Sequence, residues 1–184
     1  MAPLGRQVLR AALDALAHDG LAVTTAILPA VTVLTALALL AGGAAPALAA
    51  TPPSGTLTDA GGPVTYTAGP FFASNASAQA NGTPICNAAL ACDQFALTVT
   101  LSPAVAAANK VKIEIQWPLT TADFDLYVFD STNTLVGQSA TTNDPETVIL
   151  PAVNGGYTVL VAPFDPAGQS FTGTISLVPI PVAP

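Results

Sequence analysis

The sequence predicts an all-β fold: a jelly-roll-like antiparallel β-sandwich of about eight strands, preceded by an N-terminal signal segment. Three observations carry this. Apolar and polar residues alternate at period two through most of the second half; Pro and Gly, 17 and 14 of 184 residues, punctuate the junctions; and no amphipathic helix lies between the alternating segments. Residues 1–49 read as a signal peptide, 50–81 as a lead-in segment with one early strand, 82–178 as the sandwich, and 179–184 as a Pro-rich tail.

Arg6 and Arg10 precede an uncharged apolar stretch at 21–41, the profile of an export signal. Ala47-Leu48-Ala49 then offers the small residues that a signal peptidase accommodates, with Pro46 ending any helix before them, so cleavage is expected after Ala49. The alternative is an uncleaved anchor, because about 20 apolar residues suffice to cross a bilayer. Beyond Ala49 only Lys110 and Lys112 are basic, and the whole chain has 4 Lys and Arg against 11 Asp and Glu. That balance excludes nucleic acid as a partner and gives no reason to bind an anionic membrane surface once the signal is removed. Cys86 and Cys92 are the sole cysteines and both follow the export signal, so they are expected to form one disulfide.

The lead-in is rich in Thr, Pro, Gly, Ala and Ser, with only 64–67 and Phe71-Phe72 to bury, and is expected to be partly ordered. Its sequon at Asn75, like the one at Asn81, matters only in a glycosylating host. Phe95, Leu97, Val99 and Leu101 then alternate with Ala96, Thr98, Thr100 and Ser102, as a half-buried strand requires. Val111, Ile113, Ile115 and Trp117 share one face of the next segment, opposite Lys110, Lys112, Glu114 and Gln116. Residues 124–129 are apolar on both faces, marking a central strand, and 130–133 supply turn chemistry for a hairpin into 134–137. Strands at 146–150, at 156–162 with Tyr157, Val159 and Val161 inward, and at 171–178 with Phe171, Ile175 and Leu177 inward complete the series.

The run Asp123-Phe124-Asp125-Leu126-Tyr127-Val128, with Ile115-Gln116-Trp117 before it and Gly155-Gly156-Tyr157-Thr158-Val159 after it, resembles the bacterial pre-peptidase C-terminal (PPC) domain family. So does Cys92-Asp93-Gln94-Phe95-Ala96-Leu97-Thr98-Val99, although Gly156 stands where that family often has Thr. The resemblance implies a small secreted jelly-roll module, usually found beside exported hydrolases, that is itself non-catalytic and aids secretion, targeting or substrate binding. Some relatives in bacterial collagenases bind calcium and collagen.

The carboxylates of Asp123 and Asp125, two apart on a strand, project from one face about 6.5–7 Å apart along the backbone. They could converge on calcium, whose about 6–8 oxygens would have to include backbone carbonyls, waters and Asp130, Asp144 or Asp165 from neighbouring loops; the plainer reading is that they hydrogen-bond loop amides at the start of the strand or discourage edge pairing. The only histidine, His18, lies in the expected signal peptide, which excludes Ser-His-Asp and Cys-His catalysis from the mature chain. Glycoside hydrolysis needs only two carboxyl groups, but Trp117 alternates with aliphatic residues and reads as core, not as a sugar platform. The sequence therefore points to a secreted, non-enzymatic module whose partner is an extracellular polymer or an exported enzyme, recognised by loops at 130–133, 141–145 and 163–169. The alternative is a membrane-anchored extracytoplasmic structural or adhesion protein that keeps its N-terminal segment.

Overall fold

A computed structural model describes residues 50–60 and 62–181. The expected signal peptide and the last residues of the expected tail lie outside the described residues. Nine strands are present among them: β1 (Ser54–Thr58), β2 (Val64–Ala68), β3 (Asp93–Thr100), β4 (Asn109–Gln116), β5 (Asp123–Asp130), β6 (Leu135–Ser139), β7 (Glu146–Pro151), β8 (Gly155–Asp165) and β9 (Phe171–Pro179). They form a five-stranded sheet in the order β1-β3-β8-β5-β6 and a four-stranded sheet in the order β2-β9-β4-β7. Every connection except the β5–β6 hairpin passes from one sheet to the other, the habit of jelly-roll sandwiches.

The period-two sequences dictate this layering. In β3 burial alternates strictly from Asp93 to Thr100, and in β4 Val111, Ile113 and Ile115 face inward while Lys110 and Gln116 meet water. The inward residues of both sheets merge into one core, with Phe124 at its aromatic centre between Phe71, Trp117 and Phe171. Trp117 is core, as its alternation requires, and its indole Nε1–H donates to the Ala122 carbonyl at 3.0 Å. Gly173 serves close approach: a Cβ there would lie 2.1 Å from the Tyr66 ring, which uses the space to stack on Phe95 at 4.2 Å.

The lead-in departs most from expectation. It holds two strands, and β1 pairs with β3 in parallel, from Ser54 opposite Ala96 to Thr58 opposite Thr100, so the sandwich is mixed at this edge. Leu57 is the one large apolar residue of β1, so its Thr and Gly gave no alternation to read; tertiary pairing overrides weak local preference here. Two short helices also escaped the pattern, α1 (Ala78–Asn81) and α2 (Pro103–Ala108). The second carries ordinary start signals, with the Ser102 side chain accepting from the Val105 N–H and Pro103 in the first turn.

β5 is buried on both faces, as its composition predicts, and its outer face explains the rest of the lead-in. Tyr127, Leu160 and Ala162 form a second apolar cluster there, covered by Ala78, Cys86 and Cys92 from the segment between β2 and β3. Cys86 and Cys92 are joined, with Cα atoms 5.4 Å apart. Asn75 locks the cover in place. Its Nδ2 donates to the carbonyls of Ile85 (3.0 Å) and Ala91 (3.1 Å), its Oδ1 accepts from the Ser77 N–H, and its own N–H donates to the Pro163 carbonyl at 2.7 Å. The Asn75 side chain is wholly buried, so a sequon that reads as a surface feature is a structural pin.

Candidate functional site

At the start of β5 the covering segment and the β6–β7 connection leave an open hollow of about 390 Å³. Asp123, Asp125 and Tyr127 form its floor, Gln138, Thr141 and Thr142 one wall, and Ala78, Gln79 and Phe164 the other. The strand alternation expected from sequence does bring the two aspartates to one feature, although the β5–β8 register shifts between them, with Asp123 opposite Asp165 and Asp125 opposite Ala162.

Their surroundings differ. Asp125 is 7% exposed and its Oδ2 accepts from the Tyr127 hydroxyl at 3.4 Å. Loss of hydration, then the neighbouring charge of Asp123, pushes its pKa up to about 6, against the opposing pull of the Tyr127 bond. Asp123 is half-buried, and its Oδ1 is out of contact with water without a hydrogen-bond partner. Its pKa is also raised, first by desolvation and then by the charges of Glu146 and Asp165. Burial likewise raises the Tyr127 hydroxyl, so it remains a proton donor at neutral pH.

Glu146 is marked by the sequence as the start of a strand and as a carboxylate that any carboxylate catalysis could use. It is 1% exposed and fully used: Oε2 accepts from the Ser139 hydroxyl, and Oε1 from both the N–H (2.8 Å) and the hydroxyl of Thr141. These donors tie the β6–β7 connection into a fixed wall of the hollow. The signal was present in the period-two pattern, which places Glu146 in step with the inward-facing Val148 and Leu150.

Calcium fits this donor set poorly. Among the described residues no group of three or more His, Cys, Asp or Glu side chains is arranged to hold a metal ion. One oxygen of Asp125 already receives the Tyr127 proton, and both oxygens of Glu146 are taken. Two carboxylates leave most of the about 6–8 oxygens of a calcium shell unsupplied. What the hollow can do is accept hydrogen bonds from a polar or cationic ligand and donate one from a carboxyl that holds its proton at mildly acidic pH.

The three loops expected to recognise a partner do not converge. Those at 141–145 and 163–169 flank this hollow, and the second begins as strand, because β8 runs on to Asp165. The loop at 130–133 lies at the far end of β5, beside a second hollow lined by Asp130, Ser131, Gly155 and Tyr157. There Asp130 Oδ1 accepts from the Thr132 and Thr134 N–H groups, which closes the hairpin with Asn133 at φ 62°.

No protein-family profile matches the chain, and no curated protein matches it. Among solved structures it is similar to the pre-peptidase C-terminal domain of a collagenase from Bacillus anthracis, at 9% identity and a TM-score of 0.40, over 68% of this chain and 94% of that one. The all-β sandwich itself rests on the strand pairing described above.

Proposed function

We propose that the chain is an exported, non-catalytic binding module, an accessory to an extracellular polymer or an exported enzyme. One observation carries this reading: the cysteines, Glu146 and Asp130 are committed to structure, and the carboxyl groups that gather at one surface feature form a polar hollow. The cysteines are bonded to each other, Glu146 is saturated with donors, and Asp130 closes a turn. Asp123 and Asp125 lie on the floor of the hollow with Tyr127. Glycoside hydrolases that use a carboxyl pair line the cleft around it with aromatic side chains, whereas Trp117 here is buried in the core. A disulfide, an acidic balance and a leader with small residues at Ala47 and Ala49 support release from the cell.

The test is a binding assay on the exported product. It is expected to sediment with an insoluble extracellular polymer or to copurify with an exported enzyme, and to leave protein and polysaccharide substrates intact. Binding should weaken in Gln138→Ala and Thr142→Ala variants, which alter the wall of the hollow without touching the core. Turnover of any such substrate that disappears in Asp123→Asn would replace this reading with carboxylate catalysis.

A further inference from the structure

Asp93 opens β3 on its inward side, in step with Phe95, Leu97 and Val99, and is 0% exposed. Neither of its carboxylate oxygens receives a hydrogen bond. An ionised carboxylate buried without a donor or a cation is strongly unfavourable, and burial accordingly pushes its pKa up to about 6. The backbone N–H groups of Ala50 and Gln94 point toward it and offset part of that rise, but they fall short of hydrogen-bond geometry. On β2, the buried Tyr66 hydroxyl also lacks a partner and feels the Asp93 charge.

No side chain after Ala49 can supply the missing cation. The only basic residues there are Lys110 and Lys112 on β4, the first exposed and the second paired with Glu114 at 3.0 Å. One further cation is available to a chain that begins at Ala50, its own terminal ammonium. Ala50 is already inside the molecule, 2% exposed and part of the core. Its position is fixed by the next residue, since Thr51 donates to the Thr67 carbonyl at 2.8 Å and accepts from the Thr67 N–H at 3.0 Å. Two independent observations thus meet at one atom: the small residues at Ala47 and Ala49 place the cut before the Ala50 nitrogen, and the fold aims that nitrogen at an unpartnered carboxylate.

We propose that removal of the leader after Ala49 converts the Ala50 amide nitrogen into the buried ammonium partner of Asp93, so that export processing completes the core. The proposal rests on the export reading above. In the cut, signal peptidase breaks the Ala49–Ala50 peptide bond with water; the hydroxyl goes to the Ala49 carboxyl group and the hydrogen to the Ala50 amine. The amine takes a further proton from solvent at neutral pH. An ammonium has three donors and a full charge where the amide had one donor and none, enough to serve both oxygens of Asp93. The uncut chain leaves this carboxylate unpaired, which makes the folded domain less stable before processing than after it.

The test uses the full chain, expressed in a secreting host, with the exported product collected and its N-terminus read by mass. The native product is then treated near neutral pH with an amine-reactive ester, which normally attacks a free α-amine ahead of lysines. The expected result is a chain beginning at Ala50 in which Lys110 and Lys112 label while Ala50 labels at least ~100-fold more slowly than in denaturant. Asp93→Asn should bring the Ala50 rate to within about tenfold of the denatured rate, by releasing the terminus into local opening. A second variant, with one Ser inserted between Ala49 and Ala50, keeps the cleavage motif and moves the new amine out by one residue. It should melt at least ~5 °C below the parent, and this readout does not depend on Asp93→Asn folding. A full-length chain retained in the cell overturns the export reading and the ion pair with it, whereas an exported product that begins elsewhere than Ala50 overturns the ion pair alone. A product that begins at Ala50 and labels equally fast native and denatured, or a Ser-extended chain that melts with the parent, overturns the ion pair alone.

Discussion

Glu146 and Asp93 are equally hidden from water, at 1% and 0% exposed, yet they are opposites in everything that surrounds them. Glu146 takes all its donors from a single connection, Ser139 and Thr141, a few residues before it in the chain. Asp93 has none, and the group nearest to supplying one is the backbone nitrogen of Ala50, 43 residues earlier. Burial is thus not what sets the cost of a carboxylate; the supply of donors is. A locally supplied carboxylate folds with its own loop, whereas a remotely supplied one depends on when and how the distant group becomes available.

The largest expected effect comes from breaking the satisfied member. Glu146→Ala leaves the Thr141 N–H and two hydroxyls without their acceptor and opens a cavity under the β6–β7 connection, so a loss of about 3–5 kcal/mol is expected in urea unfolding. A loss below about 1 kcal/mol would mean that this connection finds other partners, and the contrast with Asp93 would collapse.

Asn75 provides an uncharged control, buried like the two carboxylates and satisfied like Glu146. Asn75→Ala should cost about 2–3 kcal/mol and should act locally, loosening the disulfide-bonded cover over Tyr127, Leu160 and Ala162. Faster amide exchange confined to residues 76–92 would show this, while uniform acceleration through β3, β5 and β8 would show that the cover and the sandwich are one cooperative unit.

Asp125 is intermediate, with one weak donor in Tyr127, and it gives a pH signature. Its folded pKa, pushed up to about 6, lies above the ordinary carboxylate value of 3.8, so the folded state binds its proton more tightly than the unfolded state. Its contribution to stability is therefore full at low pH and is lost as pH rises from about 4 to about 6, by roughly 1–3 kcal/mol, with no further change above that. Asp125→Asn should flatten this part of the profile. A variant that keeps the parent slope would shift the assignment to another group.

The smallest expected effect concerns calcium. With no group of three or more carboxylates arranged for a metal among the described residues, millimolar calcium should leave the melting temperature where chelator leaves it, because a ligand that does not bind the native state cannot stabilise it. A rise of several degrees that Asp123→Asn abolishes would show that the hollow gathers ligands the carboxylate comparison does not count.

From Asp93 onward the strands of the sandwich can be read from the amino-acid pattern. Period-two burial is a property of each strand alone, so β3, β4, β5, β7, β8 and β9 were legible within a few residues of their bounds, as were the early strand β2, the hairpin strand β6, the Cys86–Cys92 pair and the core role of Trp117. The two aspartates of the hollow were legible for the same reason. The remaining features depend on contacts between distant segments. β1 owes its existence to the edge of β3, because Ser, Gly and Thr carry no pattern of their own. The segment between β2 and β3 becomes a cover because Tyr127, Leu160 and Ala162 need one, and it reads as low in structure until that apolar patch is known. Asp93 and Glu146 were visible as charges in step with the inward faces of β3 and β7, but not as charges with or without donors. Which of them has donors depends on chain segments brought together in space, and a one-dimensional pattern reports the face a residue occupies without reporting what waits there.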